Sequence, residues 1–187
     1  PDPVGGILWF GVDDAATSAL TPIYCSVTDV PECFREGNGS MLEYSETAAF
    51  WIFNRVAQFA YLRYNVVGKA VRGVVDQWEN DRLAEVKAID EKGAAYVSEG
   101  LGKVKEYLTN YSVETAQNMF DKWVDLDKYM MVKYIDGNVK KEGPNGFLDN
   151  GTGKDIPASP IQPGYTDKWK RAVAEDAGET LKVYEVK

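Results

Sequence analysis

The chain has 187 residues, 44% of them hydrophobic and 12% aromatic, with a net charge of −8 and a pI near 4.7. That is globular composition, long enough to bury a real core, and its acidic balance argues against a nucleic-acid partner, which needs a basic field. The sequence contains no histidine, which removes Ser-His-Asp and Cys-His catalysis, His-ligated zinc and helical H-E-x-x-H motifs together.

The first element is the apolar run Ile7 to Val12, set off by Gly5-Gly6 and closed by Asp13-Asp14. A continuous run bounded by glycine predicts a strand buried on both faces. Thr21 to Val27 predicts a second, shorter strand with Pro22 near its beginning. A polar loop follows from Pro31 through Gly37-Asn38-Gly39-Ser40. Cys25 and Cys33 lie eight residues apart in this region; they can pair only if the loop folds back, and free, semi-buried thiols are the expectation.

Helix dominates from Ser45. Ser45 is a good N-cap, with Glu46 well placed against the first-turn dipole. Phe50, Phe53, Val56, Ala57, Ala60, Tyr61 and Tyr64 recur at three- and four-residue steps, and Trp51, Ile52 and Phe59 widen the stripe to that of a core helix, ended by Gly68. A second, amphipathic helix spans about 69–97, with Val71, Val75 and Trp78 opposite a charged face of Asp76, Glu79, Asp81 and Arg82. A short helix around Leu101–Leu108 precedes another that Ser112 caps, carrying Ala116, Met119, Phe120, Trp123, Leu126 and Met130 and stopped by Asp136-Gly137-Asn138. Residues 137–165, rich in Gly, Pro, Asn and Asp, predict an irregular loop. A terminal helix from Tyr165 to Ala177 and an edge strand over 180–186 complete the chain. The chain therefore reads as mainly α with a short β portion (α+β). Its three parts are a strand and loop segment over 1–44 that joins a larger sheet, a helical region over 45–136, and an irregular loop with terminal helix and strand over 137–187.

Several residues invite a chemical reading. Adjacent residues on a strand face opposite ways, so Asp13 and Asp14 make a poor acid/base dyad, and a strand end with one acid holding the next turn is the simpler expectation. Neither Cys25 nor Cys33 has a base or a basic field to hold a thiolate. Arg55 and Arg63 lie on roughly one helix face, fit either to meet a ligand carboxylate or to pair with neighbouring acids. The sequons at Asn38, Asn110 and Asn150 are short patterns common by chance, and Gly143-Pro144-Asn145-Gly146 is turn chemistry without the lysine of a P-loop.

The blocks "GGILWFGVDDAATSALTPIYCSVTDVPECFREG" and "SETAAFWIFNRVAQFAYLRY" resemble the C-terminal half of the dipeptidase A-type cysteine dipeptidases, relatives of the secernins. "KWVDLDKYMMVKYIDG" and "PGYTDKWKRAVAEDAG" also fit that pattern, so the likeness runs over most of the chain. The resemblance implies the helical C-terminal region of an αββα N-terminal-nucleophile hydrolase that cleaves dipeptides. In such enzymes a processed N-terminal cysteine attacks the peptide carbonyl and its own α-amino group, titrating near ~7.7–8.0, serves as base. The chain opens on Pro1, and neither cysteine has a free amine, so the nucleophile is expected upstream and no catalytic, cofactor-binding or metal residue is assigned here. The expected partners are the N-terminal half of the same protein and dipeptide substrates, with no nucleic acid and no membrane span. Two rival readings stand beside this one: a non-enzymatic helical interaction module presenting the Phe50–Tyr64 helix, and a carboxylate-based hydrolase built on Asp13 or Asp14.

Overall fold

A computed structural model describes residues 2, 4–148 and 161–181. It is mainly helical with small antiparallel sheets, as the sequence predicts, and divides into two compact units, Pro1–Met131 and Val132–Lys187.

The first unit opens with a hairpin of β1 (Ile7–Phe10) and β2 (Thr21–Tyr24), in which Ile7 faces Tyr24 and Trp9 faces Pro22. The Cys25 N–H donates to the Gly6 carbonyl at 2.9 Å. Hydrogen-bonded pairs alternate along an antiparallel ladder, so the missing N–H of Pro22 falls where it would point away from β1 and costs no ladder bond. On that outer side of β2, the Tyr24 N–H donates to Ser112 Oγ at 3.2 Å. Ile7 packs with Tyr24 against the buried side chains of Val104, Leu108 and Tyr111.

The expected burial of β1 on both faces is corrected. Its residues alternate, and Leu8 and Phe10 on the second face are 55% and 36% exposed. The sheet has only two strands among the described residues, and on that second face Phe10 makes an edge contact with Phe34, at 5.0 Å between ring centres, while Leu8 stays more than half exposed.

Three helices carry the core. α1 spans Ala49–Leu62, α2 spans Tyr64–Ala95 and α3 spans Leu101–Tyr134. Phe53, Val56 and Ala60 of α1, Val67, Val71 and Val75 of α2, and Met119, Trp123 and Met130 of α3 are fully or nearly fully buried. At 1.5 Å per residue α3 is about 50 Å long.

Three predicted helix ends move. Ser45 does not cap α1; its hydroxyl donates to Asn38 Oδ1 at 2.6 Å, which pins the preceding loop, and the helix starts four residues later. Gly68 does not end a helix. The break lies at Arg63 (φ −154°, ψ 65°), and Gly68 is buried inside α2, where a Cβ would come within 3.1 Å of the Tyr64 ring. Ser112 is not a cap either, because the two helices expected around it are one, and its hydroxyl faces inward to take the Tyr24 amide.

In the second unit, Asp136 and Gly137 adopt φ of 59° and 72° just past α3, the stop that Asp-Gly-Asn predicts. β3 (Glu142–Gly143) and β4 (Gly146–Phe147) form a small hairpin turned by Pro144-Asn145, within the stretch expected to be irregular. α4 covers Asp167–Ala177, and Thr166 caps it by accepting the Trp169 N–H at 3.2 Å. The predicted strand over 180–186 starts on a 3-10 turn, Gly178–Leu181, rather than an extended segment, and its remainder lies outside the described residues.

Candidate functional site

The polar elbow between β1 and β2 carries Asp13 and Asp14, the two acids that the sequence singles out. β1 stops at Phe10, so Asp13 and Asp14 stand on a turn and not on a strand. Asp13 takes a left-handed backbone, φ 68°, which a short polar side chain tolerates. That conformation swings the two carboxylates to different tasks. Asp13 is exposed and accepts from Asn54 Nδ2 at 3.2 Å, a contact that ties the elbow to α1. Asp14 turns inward: Oδ1 accepts the backbone N–H groups of Ala16 at 2.7 Å and Thr17 at 3.0 Å, and Oδ2 accepts the Thr17 hydroxyl at 2.7 Å.

Electrostatics follow from those bonds. Partial burial disfavours the Asp14 charge, but the hydrogen bonds from Thr17, Ala16 and the Tyr61 hydroxyl outweigh it and hold the carboxyl below its ordinary range. A carboxylate so held is a poor proton acceptor at neutral pH. The Tyr61 hydroxyl is pushed up by desolvation and by the Asp14 charge beside it. α2 clamps the far side of the elbow: Glu79 accepts the Leu20 N–H at 3.0 Å, Trp78 Nε1 donates to the Leu20 carbonyl at 3.1 Å, and Arg72 reaches the Ala16 carbonyl at 3.4 Å. The arrangement builds a fixed turn with one outward carboxylate, not a pair of acids sharing a proton.

The cysteines are unpaired. Cys25 is exposed just past β2, and Cys33 is buried on a 3-10 turn, Glu32–Phe34, where burial pushes its thiol up to about 12, with Asp121 and Glu32 adding to the shift. A thiol-specific reagent is therefore expected to titrate one group per native chain, Cys25, and two after denaturation; prompt labelling of both would contradict the placement of Cys33.

Arg55 and Arg63 part company. Arg55 Nη2 pairs with Asp127 Oδ2 at 2.7 Å, while Nη1 donates to the Tyr44 hydroxyl at 3.1 Å. Arg63 stands at the α1–α2 break instead of sharing a helix face with it. Asp127 is the residue that the sequence reading misses. Its signal was present: it falls four residues after Trp123 and three before Met130, on the apolar stripe of α3, where a charge demands a partner. Of the sequons, Asn38 has its amide committed, Nδ2 donating to the Glu32 carbonyl at 2.9 Å; Asn110 lies on α3, and Asn150 lies outside the described residues. Among the described residues no group of three or more acids and cysteines is placed to hold a metal ion, and no helix is long and apolar enough to cross a membrane.

A helical scaffold bearing a small apolar hairpin, whose connecting turn is pinned through Asp13, Asp14, Asn54 and Tyr61, defines a mainly α protein with a short β portion. Residues 1–77 of it match the model of peptidase family C69, which bears out the resemblance to the dipeptidase A-type family over that stretch. The match includes the hairpin, the elbow, α1 and the start of α2, and it ends before the later blocks that the resemblance also drew on. It supports a peptidase function. No curated protein and no solved structure matches the chain.

Proposed function

We propose that these residues form part of a cysteine dipeptidase of the N-terminal-nucleophile kind, with the nucleophile on polypeptide upstream of Pro1 and the β1–β2 hairpin extending a sheet that this polypeptide supplies. The observation that carries the reading is the hairpin itself. It lies within the segment matched by a peptidase family, β1 has no second strand neighbour among the described residues, and its outer face shows Leu8 and Phe10 to solvent. Unpaired sheet edges and apolar sheet faces are normally covered: a strand from another stretch of chain would pair the open edge of β1, and packing of that same polypeptide over the sheet would cover Leu8 and Phe10.

The chemistry is amide hydrolysis. A thiolate attacks the carbonyl, the acyl-enzyme forms as the amine leaves, and water releases the acid, with the nucleophile's own α-amino group moving the proton. This route needs no imidazole, in keeping with a chain that has none. In this reading Asp13, Asp14, Asn54 and Tyr61 hold the elbow in shape beside the site and take no part in bond making. The three hydrogen bonds onto Asp14 from its own turn, which hold its carboxyl below the ordinary range, speak against the rival carboxylate hydrolase.

The test is a dipeptide panel run on two proteins. The 187-residue chain alone is expected to give no turnover, and the same chain made together with the coding sequence upstream of Pro1 is expected to hydrolyse dipeptides and to lose activity when its N-terminal cysteine is changed to alanine. Turnover by the chain alone, or an active long form insensitive to that substitution, would overturn the proposal.

A further inference from the structure

The α1–α3 interface contains two buried polar atoms that need each other's complement. Trp123 is fully buried and its ring stacks on Phe53, with centroids 4.9 Å apart and planes within 7°. Asp127 has a side chain only 6% exposed, and Arg55 takes its Oδ2. Trp123 Nε1 and Asp127 Oδ1 have no hydrogen-bond partner among the described residues. One can only donate and the other, ionised, can only accept. Four residues apart on one helix, they lie on the same face, one turn from each other.

A direct bond between them would satisfy both, but they do not make one. Stacking on Phe53 sets the plane of the indole, and the 2.7 Å contact with Arg55 sets the carboxylate. Leaving both atoms dry is costly, because a buried donor or acceptor without a partner forfeits its full solvation. An ammonium or a metal ion would serve the carboxylate and leave the indole N–H orphaned; a halide would do the reverse. The small species that accepts from one and donates to the other is water, and interiors hold such waters at about one per ~27 residues.

We propose that the α1–α3 interface binds one internal water molecule, which accepts from Trp123 Nε1–H and donates to Asp127 Oδ1. The polar line running inward from Tyr44 through Arg55 to Asp127 then ends on the indole, with every member satisfied. This site is structural and independent of the proposed peptidase activity.

Nuclear Overhauser contacts between indole N–H protons and water test it on the native chain. The Trp123 signal, identified among the five tryptophans by its loss in Trp123→Phe, is expected to show a contact with a long-lived water, and a high-resolution crystal structure is expected to show density within hydrogen-bond reach of both atoms. In Asp127→Asn, which keeps the shape but changes the partner's charge, the Trp123 N–H resonance is expected to shift more than those of the other tryptophans. A Trp123 N–H bonded directly to Asp127, or a site without water in both measurements, would overturn the proposal.

Discussion

Trp123→Ala is expected to lower the stability of the first unit by about 3–5 kcal/mol, the range for removing a large aromatic side chain from a packed interior. Trp123 is fully buried on α3 and stacks on Phe53 of α1, so truncation loses its transfer energy and leaves a cavity between the two helices. Domains of this size are stable by only ~5–15 kcal/mol, so this one change removes a large share of the total. Urea denaturation followed by far-ultraviolet dichroism reads it as a fall in midpoint at unchanged slope. Trp169→Ala is the natural comparison: that ring is 48% exposed on α4 and rests on Tyr165, and its loss is expected to cost within ~0.5 kcal/mol. Equal effects at the two tryptophans would mean that Trp123 is not where the core is anchored.

The sequence reveals the helices because burial is written into their period. Phe53, Val56, Ala57 and Ala60 on α1, and Met119, Trp123 and Met130 on α3, are predicted core positions and are buried. Helix ends are less legible, and for a consistent reason. Ser45 and Ser112 both look like caps, but a serine hydroxyl bonds to whichever group tertiary structure brings near, and here Asn38 and the Tyr24 amide claim them. Gly68 looks like a stop, yet a glycine also lets an aromatic ring lie close, as Tyr64 does.

The elbow shows the same division. That Asp13 and Asp14 end a strand follows from local chemistry, and the bonds from Asp14 to Ala16 and Thr17 are local too. Asn54, Tyr61, Arg72 and Glu79 come from 40 or more residues away, and nothing at the elbow itself announces them. The exposed second face of β1 is hidden from the sequence for a related reason. An apolar run records that both faces are meant to be covered; it does not say by which stretch of chain. In the described residues one cover is incomplete, which is the feature that the proposed function explains.

The second large effect is expected at Arg55. Breaking a buried ion pair by removing one partner typically costs ~3–5 kcal/mol, since the other charge stays desolvated. Asp127 fits that description, but Arg55 is 39% exposed and water screens part of the attraction, so Arg55→Ala is expected to cost about 2–3 kcal/mol. The reverse change should be milder, because Arg55 freed of Asp127 can turn to solvent; Asp127→Ala is expected to cost about 1 kcal/mol. The double variant Arg55→Met, Asp127→Leu, which fills the space without charge, is expected to return to within ~1 kcal/mol of the parent. The pH dependence separates charge from packing. Burial raises the Asp127 carboxyl above its ordinary value, with Arg55 and Lys128 pulling it down, so the folded protein holds that proton more readily than the unfolded chain. Stability tied to this group therefore falls as pH rises from the unfolded value through the folded one and is regained in acid. Without Arg55 the folded value climbs further, and the deficit of Arg55→Ala should shrink as pH drops through that window, because the protonated acid no longer needs the guanidinium. Urea midpoints of parent and variant measured from neutral pH downward read this directly. A deficit that stays constant with pH would show that Arg55 acts by packing its stem and not by holding the Asp127 charge.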